Sequence, residues 1–332
     1  MFSEILVEKK LVGTKRVNQI IERFSSIPVL EIEHYDSIFG MTKKPYLQKR
    51  NNLRLFLAEK RGELVKKAPD AYGVSDAEHY YFINSYNCIY ECEYCYLQGY
   101  FSSPDIVLFL NHEEICNEIS RVASNHALQP VWFHAGEFSD SLALSGINED
   151  WEVYWETVKN LKNAFLELRT KSTNINSILK LGSLPNVVVS FSISPNQISR
   201  EIDLKTPEAR LRVEAMKKLV SEGHRVGIHL DPIVFYEGYI EDYRSLAKEL
   251  AEAVPDEFLA YVSLGVVRFS KVAFREFEKN YPGSKIQSSE FITSEDGKVR
   301  YPRPIRLRGL DLIQQALIDA GVKQEKIYLC ME

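Results

Sequence analysis

No apolar run in the 332-residue sequence approaches the ~18 residues a membrane-spanning helix needs, so a membrane bundle is excluded and no membrane partner is expected. The first ten residues, Met1 to Lys10, lack a basic segment followed by an apolar one. No secretory leader is expected, and the cytoplasm is the expected address. Cysteine is scarce: five residues, an odd number, argue against a disulfide framework. Low-complexity tracts are missing too. With 45% hydrophobic and 26% charged residues, the composition excludes a disordered tail or a collagen-like rod. The length suits one large α/β domain or two smaller ones, with enough chain to bury a core unaided.

The net charge of −5 conceals an uneven distribution. Met41 to Lys67 carries +7, Val267 to Arg308 carries +5, and the remainder −17. Two basic stretches in an acidic chain suit a polyanion such as nucleic acid, and they also suit solvated helix faces.

From about Tyr80 onward, strand-like apolar runs alternate with amphipathic helical ones. The spacing predicts strands at His79–Tyr86, Pro130–Ala135, Leu166–Lys171, Val187–Ile193, Arg225–Asp231, Tyr261–Val267 and Lys326–Met331. Helices are predicted at His112–Ala127, around Trp151–Phe165, and at Thr206–Glu222, Ile240–Ala253 and Gly309–Gly321. Repeated β-then-α units imply a parallel sheet, and this many imply an α/β fold with a whole or partial (β/α) barrel over 79–332. Residues 1–78 read as a small basic α/β lead-in, strand–helix–strand to Glu33 and then a Lys/Arg-rich helix near Asn51–Lys67. A late β-hairpin insertion is expected at 290–307, turning at Asp296-Gly297 in a type I′ turn. Five basic residues and no acid lie between Lys298 and Arg308.

Chemistry concentrates in Cys88-Ile-Tyr-Glu-Cys92-Glu-Tyr-Cys95, a C-x-x-x-C-x-x-C segment at the end of a predicted strand. Three thiolates from one short loop can each ligate one iron of a [4Fe–4S] cluster, leaving the fourth iron open. Zinc wants a fourth ligand near at hand, and the nearest histidines are His79 and His112. A cluster fits better than zinc.

At these residues the sequence resembles the radical SAM superfamily, in which S-adenosylmethionine (SAM) chelates the open iron and is cleaved to a 5′-deoxyadenosyl radical. Tyr94 occupies the superfamily's aromatic position before the third cysteine. The resemblance extends to the spore photoproduct lyase family of DNA repair enzymes through Tyr94-Cys95-Tyr96-Leu97-Gln98, Ser139-Asp140, Leu166–Lys171, Ser190-Phe191-Ser192-Ile193, Asp231-Pro232-Ile233, Glu237-Gly238-Tyr239 and Arg268-Phe-Ser-Lys. It covers about Asn51 to Pro282. It implies a radical SAM partial barrel and a lyase activity, with a [4Fe–4S] cluster on Cys88, Cys92 and Cys95. It further implies SAM contacts from Tyr94, Ser139, Lys171 and Ser192.

The late hairpin departs from the family at its tip, with Asp296-Gly297 and Tyr301-Pro-Arg-Pro in place of a Gly-Arg-Tyr-Gly-like tip, and one further departure matters most. Where the family carries a cysteine that returns a hydrogen atom to the repaired thymine radical, this chain has Glu137. A carboxylate cannot donate a hydrogen atom as a thiol can. Tyr94 and Tyr96 are therefore the expected catalytic phenols beside Glu137, although alternating tyrosines also suit core packing, and Glu137 also suits a turn cap. Cys330, closing the last strand, either is a buried terminal thiol or reaches the barrel mouth. Cys116 reads as plain burial. His134 and His229 lie near strand ends and read as satisfied core histidines.

The substrate expected is a DNA pyrimidine lesion flipped into the barrel mouth. The expected partners are DNA, SAM and an electron donor such as a flavodoxin or ferredoxin, and the expected state is a monomer. The alternatives are radical chemistry on RNA, a peptide or a small molecule, and a non-catalytic iron–sulfur protein that binds nucleic acid.

Overall fold

The computed structural model describes residues 2–41, 46–47, 52–69, 77–147, 150–288 and 290–330. The chain opens with β1 (Phe2–Glu8), α1 (Lys15–Arg23), β2 (Val29–Ile32), β3 (Leu53–Ala58), β4 (Val65–Lys67), β5 (Glu78–Phe82) and β6 (Ser85–Tyr86). Next come β7 (Glu91–Cys92), α2 (Leu97–Tyr100), β8 (Ile106–Phe109), α3 (His112–Asn125), β9 (Val131–Ala135) and α4 (Trp151–Lys159). The middle of the chain forms β10 (Ala164–Thr170), α5 (Asn176–Leu181), β11 (Val187–Ser192), α6 (Asn196–Ile202), β12 (Asp203–Leu204), α7 (Ala209–Ser221) and β13 (Arg225–Ile233). After α8 (Tyr239–Ala253) and β14 (Leu259–Val266) come β15 (Arg268–Phe269), α9 (Lys271–Asn280), β16 (Ile292–Thr293), β17 (Val299–Arg300), α10 (Arg303–Asp319) and β18 (Ile327–Leu329).

The main sheet runs β18-β14-β13-β11-β10-β9-β5-β4. Its strands from β5 to β18 pair in parallel, and β4 adds an antiparallel edge. Among the described residues no pairing joins β4 to β18, so the sheet is a partial barrel, as its β/α alternation predicts. The central strand β11 is buried at every position, which is why its sequence is a near-continuous apolar run rather than an alternating one. Helices such as α7, α8 and α10 bury one face against these strands, with Met216, Leu219, Tyr243, Leu250, Ile313 and Leu317 in the core. Among the described residues no helix is long and apolar enough to cross a membrane.

A second sheet, β2-β1-β3-β8-β6, has its own apolar core of Ile5, Val7, Leu55, Leu57, Ile106 and Leu108. Strand–helix–strand to Glu33 is as expected, whereas the helix expected near Asn51–Lys67 is absent: Leu53–Ala58 is β3, paired between β1 and β8. Five of its six residues are buried, and the apolar run is better covered as an internal strand than as one stripe of a helix. The lead-in is not closed at residue 78 either. Its sheet recruits β6 and β8 from beyond that boundary, while β4 joins the barrel. Lys43, Lys44, Lys49 and Arg50 of the first basic stretch lie outside the described residues.

The late hairpin is β16–β17, to which β15 adds a third strand. Its turn differs from the type I′ expectation, since Gly297 alone has a positive φ (78°) and Asp296 does not. Gly297 N–H donates to Ser294 O (2.9 Å) and Ser294 N–H to Lys298 O (2.8 Å), a longer loop closed by a left-handed glycine. The hairpin also ends sooner than expected, because α10 starts at Arg303. Arg306 is consequently buried, with Nη1 donating to Tyr301 O at 2.7 Å.

Candidate functional site

The three-cysteine segment is pinned before it begins. Asn87, left-handed at φ 62°, donates from Nδ2 to Ser103 O and Asp105 O, both at 2.7 Å. Within the segment, Cys88 Sγ accepts from Tyr90 N–H at 3.4 Å, and Cys95 N–H donates to Cys92 O at 3.0 Å. The short pairing of β7 with β12 sets Cys92 opposite Asp203. Gln98 ties the end of the loop down: its Nε2 donates to Glu93 O (2.8 Å), and its Oε1 accepts from Asn280 Nδ2 (2.9 Å). Beside it, α2 crosses α9 so closely that a Cβ on Gly99 would lie 2.6 Å from Ala273 Cα. Only glycine fits there.

The loop after β9 forms the facing wall. Gly136 (φ +90°) has room only for hydrogen: an added Cβ would meet Ser141 Oγ at 2.7 Å and Arg169 O at 3.0 Å. Phe138 is also left-handed (φ 65°), a costly conformation for a bulky residue. Its ring is held among Tyr86, Tyr96, Tyr100 and Phe101. Its N–H donates to Tyr96 Oη at 3.1 Å, and Tyr96 O–H in turn donates to Glu137 Oε1 at 3.4 Å. Asp140 anchors the loop to β10. Its Oδ1 accepts from Leu142 N–H (3.0 Å), Ala143 N–H (2.9 Å) and Thr170 Oγ1 (2.6 Å), and its Oδ2 from Lys171 N–H (2.7 Å).

Between these walls, at the C-terminal ends of the barrel strands, lies a cavity of about 490 Å³, within the usual range for small-molecule sites. Cys88, Cys92, Cys95, Tyr94, Tyr96, Glu137, Ser139, Lys171 and Ser192 all line it. The structure thus brings every sequence-predicted site residue to one place, from four separate segments. Tyr94 is set with its hydroxyl donating to Asp203 and its ring 5.5 Å from Lys171 Nζ. Tyr96 stands at the rim, 41% exposed. Cys330 does not line the cavity; its Sγ lies behind Arg268, 3.9 Å from Nη2.

Charge and burial shape the site unevenly. Burial pushes the Cys92 thiol well up, with the Asp203 carboxylate adding to the effect. Burial alone would raise the Asp203 carboxyl, but Lys171 and Arg212 beside it hold it below the usual range. Asp231 follows the same pattern with Arg268, to which it is paired through two 3.1 Å contacts at the cavity wall.

The cavity floor was not read from the sequence. Arg169 lines the cavity and reaches Glu167, which is wholly buried at the centre of a polar network. Glu167 Oε1 accepts from Ser190 Oγ (2.5 Å), Tyr261 O–H (2.6 Å) and His229 Nε2 (2.8 Å), while Oε2 pairs with His134 Nδ1. His134 Nε2 meets His79 Nδ1 at 2.9 Å. His134 and His229 are satisfied core histidines, as expected. The available signal was a glutamate inside an apolar strand run, Leu166-Glu167-Leu168.

The donor set suits an iron–sulfur cluster with a polar ligand beside it. Among the described residues none of the three thiols is in a disulfide, and they sit in an apolar setting with Ile89, Tyr90 and Ala143. Among the described residues no three His, Cys, Asp or Glu groups are placed to hold one metal ion. One zinc ion, with Zn–S bonds of about 2.3 Å, would draw its sulfurs to about 3.8 Å apart, whereas a cluster takes one thiolate per iron. Ser139 Oγ is buried in the wall with no partner among the described residues, an oxygen left for a ligand.

The profile of the family described as "Spore photoproduct lyase" matches residues 37–303. The spore photoproduct lyase of Bacillus subtilis is 28% identical over 206 residues, 61% of this chain and 60% of that protein. This chain therefore spans about 60% of the length of that relative. The spore photoproduct lyase of Clostridium acetobutylicum is 21% identical over 300 residues, covering 86% of this chain and 84% of that protein. Among solved structures, a spore photoproduct lyase complexed with dinucleoside spore photoproduct superposes with a TM-score of 0.83 at 20% identity, over 99% of this chain and 98% of that one. That likeness shows the fold, the partial barrel of the radical SAM type.

Proposed function

Since the chain belongs to the spore photoproduct lyase family, we propose that it is a radical SAM lyase acting on a pyrimidine lesion in DNA. The observation that carries the reading is the single cavity shared by Cys88, Cys92, Cys95, Ser139, Lys171 and Ser192. When bound there, a [4Fe–4S] cluster and SAM supply a 5′-deoxyadenosyl radical able to abstract hydrogen from a substrate C–H bond. The chain's own residues do the rest. Cys88, Cys92 and Cys95 hold three irons, and the apolar neighbours around them keep water away from the sulfurs. Lys171, whose backbone N–H is fixed by Asp140, brings its ammonium to the SAM carboxylate, with the Ser139 and Ser192 hydroxyls beside it. The ring of Tyr94 forms part of the SAM wall. Its hydroxyl is committed to Asp203, which leaves Tyr96 as the phenol at the rim, against Glu137.

The lesion enters past Tyr96, Glu137, Arg268 and Lys298, and the exposed Arg303 and Arg308 on α10 meet phosphates outside the cavity. The same reading has the protein working in the cytoplasm as a monomer, reduced by a flavodoxin or ferredoxin. Glu137, in the family's thiol position, supports a second reading: the same radical chemistry on another substrate, such as RNA, a peptide or a small molecule.

The test is anaerobic reconstitution with iron and sulfide, then dithionite and SAM, with 5′-deoxyadenosine measured with and without lesion-bearing DNA. Release that depends on the lesion is the expected result. Release indifferent to DNA would favour the second reading. Stoichiometric zinc in fresh protein, or a cluster that never cleaves SAM, would refute both.

A further inference from the structure

Behind the cysteine loop lies an ion pair that the roles given so far do not use. Arg212 on α7 is 0% exposed and Asp203 on β12 is 4% exposed. Arg212 Nη1 donates to Asp203 Oδ2 and to Ser192 O, both at 3.0 Å, Nε donates to Pro207 O at 3.0 Å, and Nη2 to Thr206 Oγ1. Asp203 accepts in addition from Ser199 Oγ (3.1 Å) and from Tyr94 O–H. The β7–β12 register then places Asp203 opposite Cys92. One buried cation and one buried anion thus touch the strand end that carries Ser192, the tyrosine before the third cysteine, and the strand that carries the second.

Stability alone is a poor reason for such a pair. Taking both charges out of water costs about what their attraction returns, and packed apolar residues commonly serve as well or better. What a buried pair does provide is a fixed field, because low-dielectric surroundings screen it weakly. The redox-relevant residue opposite Asp203 in the β7–β12 pairing is Cys92, itself only 8% exposed. Charges and hydrogen bonds around cluster sulfurs are among the factors that set reduction potential.

We propose that Asp203 and Arg212 act as opposed tuning residues for the cluster held at Cys92, while Asp203 also fixes the orientation of Tyr94. The inference rests on the cluster reading given above. An electron arriving at the cluster is opposed by the Asp203 carboxylate and favoured by the Arg212 guanidinium. Neutralising one or the other therefore moves the potential in opposite directions.

The experiment is a potentiometric titration of the reconstituted full chain, followed by the EPR signal of the reduced cluster. It compares wild type with Asp203→Asn, Arg212→Met and Arg212→Lys. Asp203→Asn is expected to raise the potential, Arg212→Met to lower it, and Arg212→Lys to stay close to wild type. A merely structural role would lower cluster occupancy in all three variants without opposite shifts. Shifts of the same sign, or none in variants that hold their cluster, would overturn the proposal while leaving the functional reading intact. A wild type that binds no four-iron cluster would overturn both. Should Arg212→Met fail to fold, the near-isosteric Asp203→Asn decides alone: an upward shift supports the proposal, and an unmoved or lower potential refutes it.

Discussion

His229 makes the protein's stability depend on pH in a window that can be worked out from the barrel interior. Its ring is buried, with Nε2 against Glu167 Oε1 at 2.8 Å and Tyr261 Oη at 3.2 Å, while Asp231 lies farther along its own strand. Burial, with the charge of Arg169, pushes its pKa from 6.5 down to about 4, against the opposing pull of Glu167 and Asp231. A base whose folded pKa is depressed binds its proton more readily unfolded. The stability it contributes is therefore present above pH 6.5 and is lost as pH falls toward 4. At about 1.4 kcal/mol per tenfold, the full loss is about 3 kcal/mol, of which about 2 kcal/mol falls between pH 7 and pH 5. His229→Gln keeps a donor for Glu167 but cannot titrate. Urea unfolding at pH 7 and pH 5, followed by tryptophan fluorescence, should show wild type losing about 2 kcal/mol more than the variant over this interval. Because the other histidines are common to both proteins, their contributions cancel in the difference. Parallel pH profiles would refute the argument and place the His229 proton elsewhere.

Asp140→Ala removes the acceptor of four hydrogen bonds, two within the β9 loop and two that join it to the end of β10. It should cost about 2–4 kcal/mol in thermal or denaturant unfolding and weaken SAM binding as well, since Lys171 loses its backbone anchor. Lys171→Ala should leave iron content unchanged and weaken SAM binding by about tenfold, the worth of one charge-assisted hydrogen bond, as read by isothermal titration calorimetry. Alanine at Cys88, Cys92 or Cys95 should each abolish four-iron binding, measured by iron and sulfide content. Wild type should handle the spore lesion poorly, with by-products from an unquenched thymine radical, and Glu137→Cys should give cleaner thymine formation on the same dinucleotide. Fast, clean turnover by wild type would show that the thiol position does not matter here.

How much of this could be read in the sequence depends on how far apart the interacting residues lie. The cysteine segment was legible because its chemistry is local: three thiols within eight residues act together whatever surrounds them. The barrel was legible because β/α alternation is a repeated local pattern, and runs such as Val187–Ser192 are apolar enough to require burial on both faces. Ser139, Lys171 and Ser192 came through short motifs that resemble a family, and the cavity brings them together. The strand at Leu53–Ala58 was misread as a helix because its pairing partners, β1 and β8, are remote in sequence and local propensity does not know of them. The Glu167 network and the contact of Tyr94 with Asp203 stayed hidden for the same reason. Tyr261 meets Glu167 across 94 positions and Tyr94 meets Asp203 across 109. The sequence by itself determined which strands and helices could form and where sulfur chemistry would sit. The tertiary structure alone decided which inward-facing polar side chains would meet. That choice follows from the register of parallel strands, fixed by packing across the whole sheet and by the need of each buried charge for a partner.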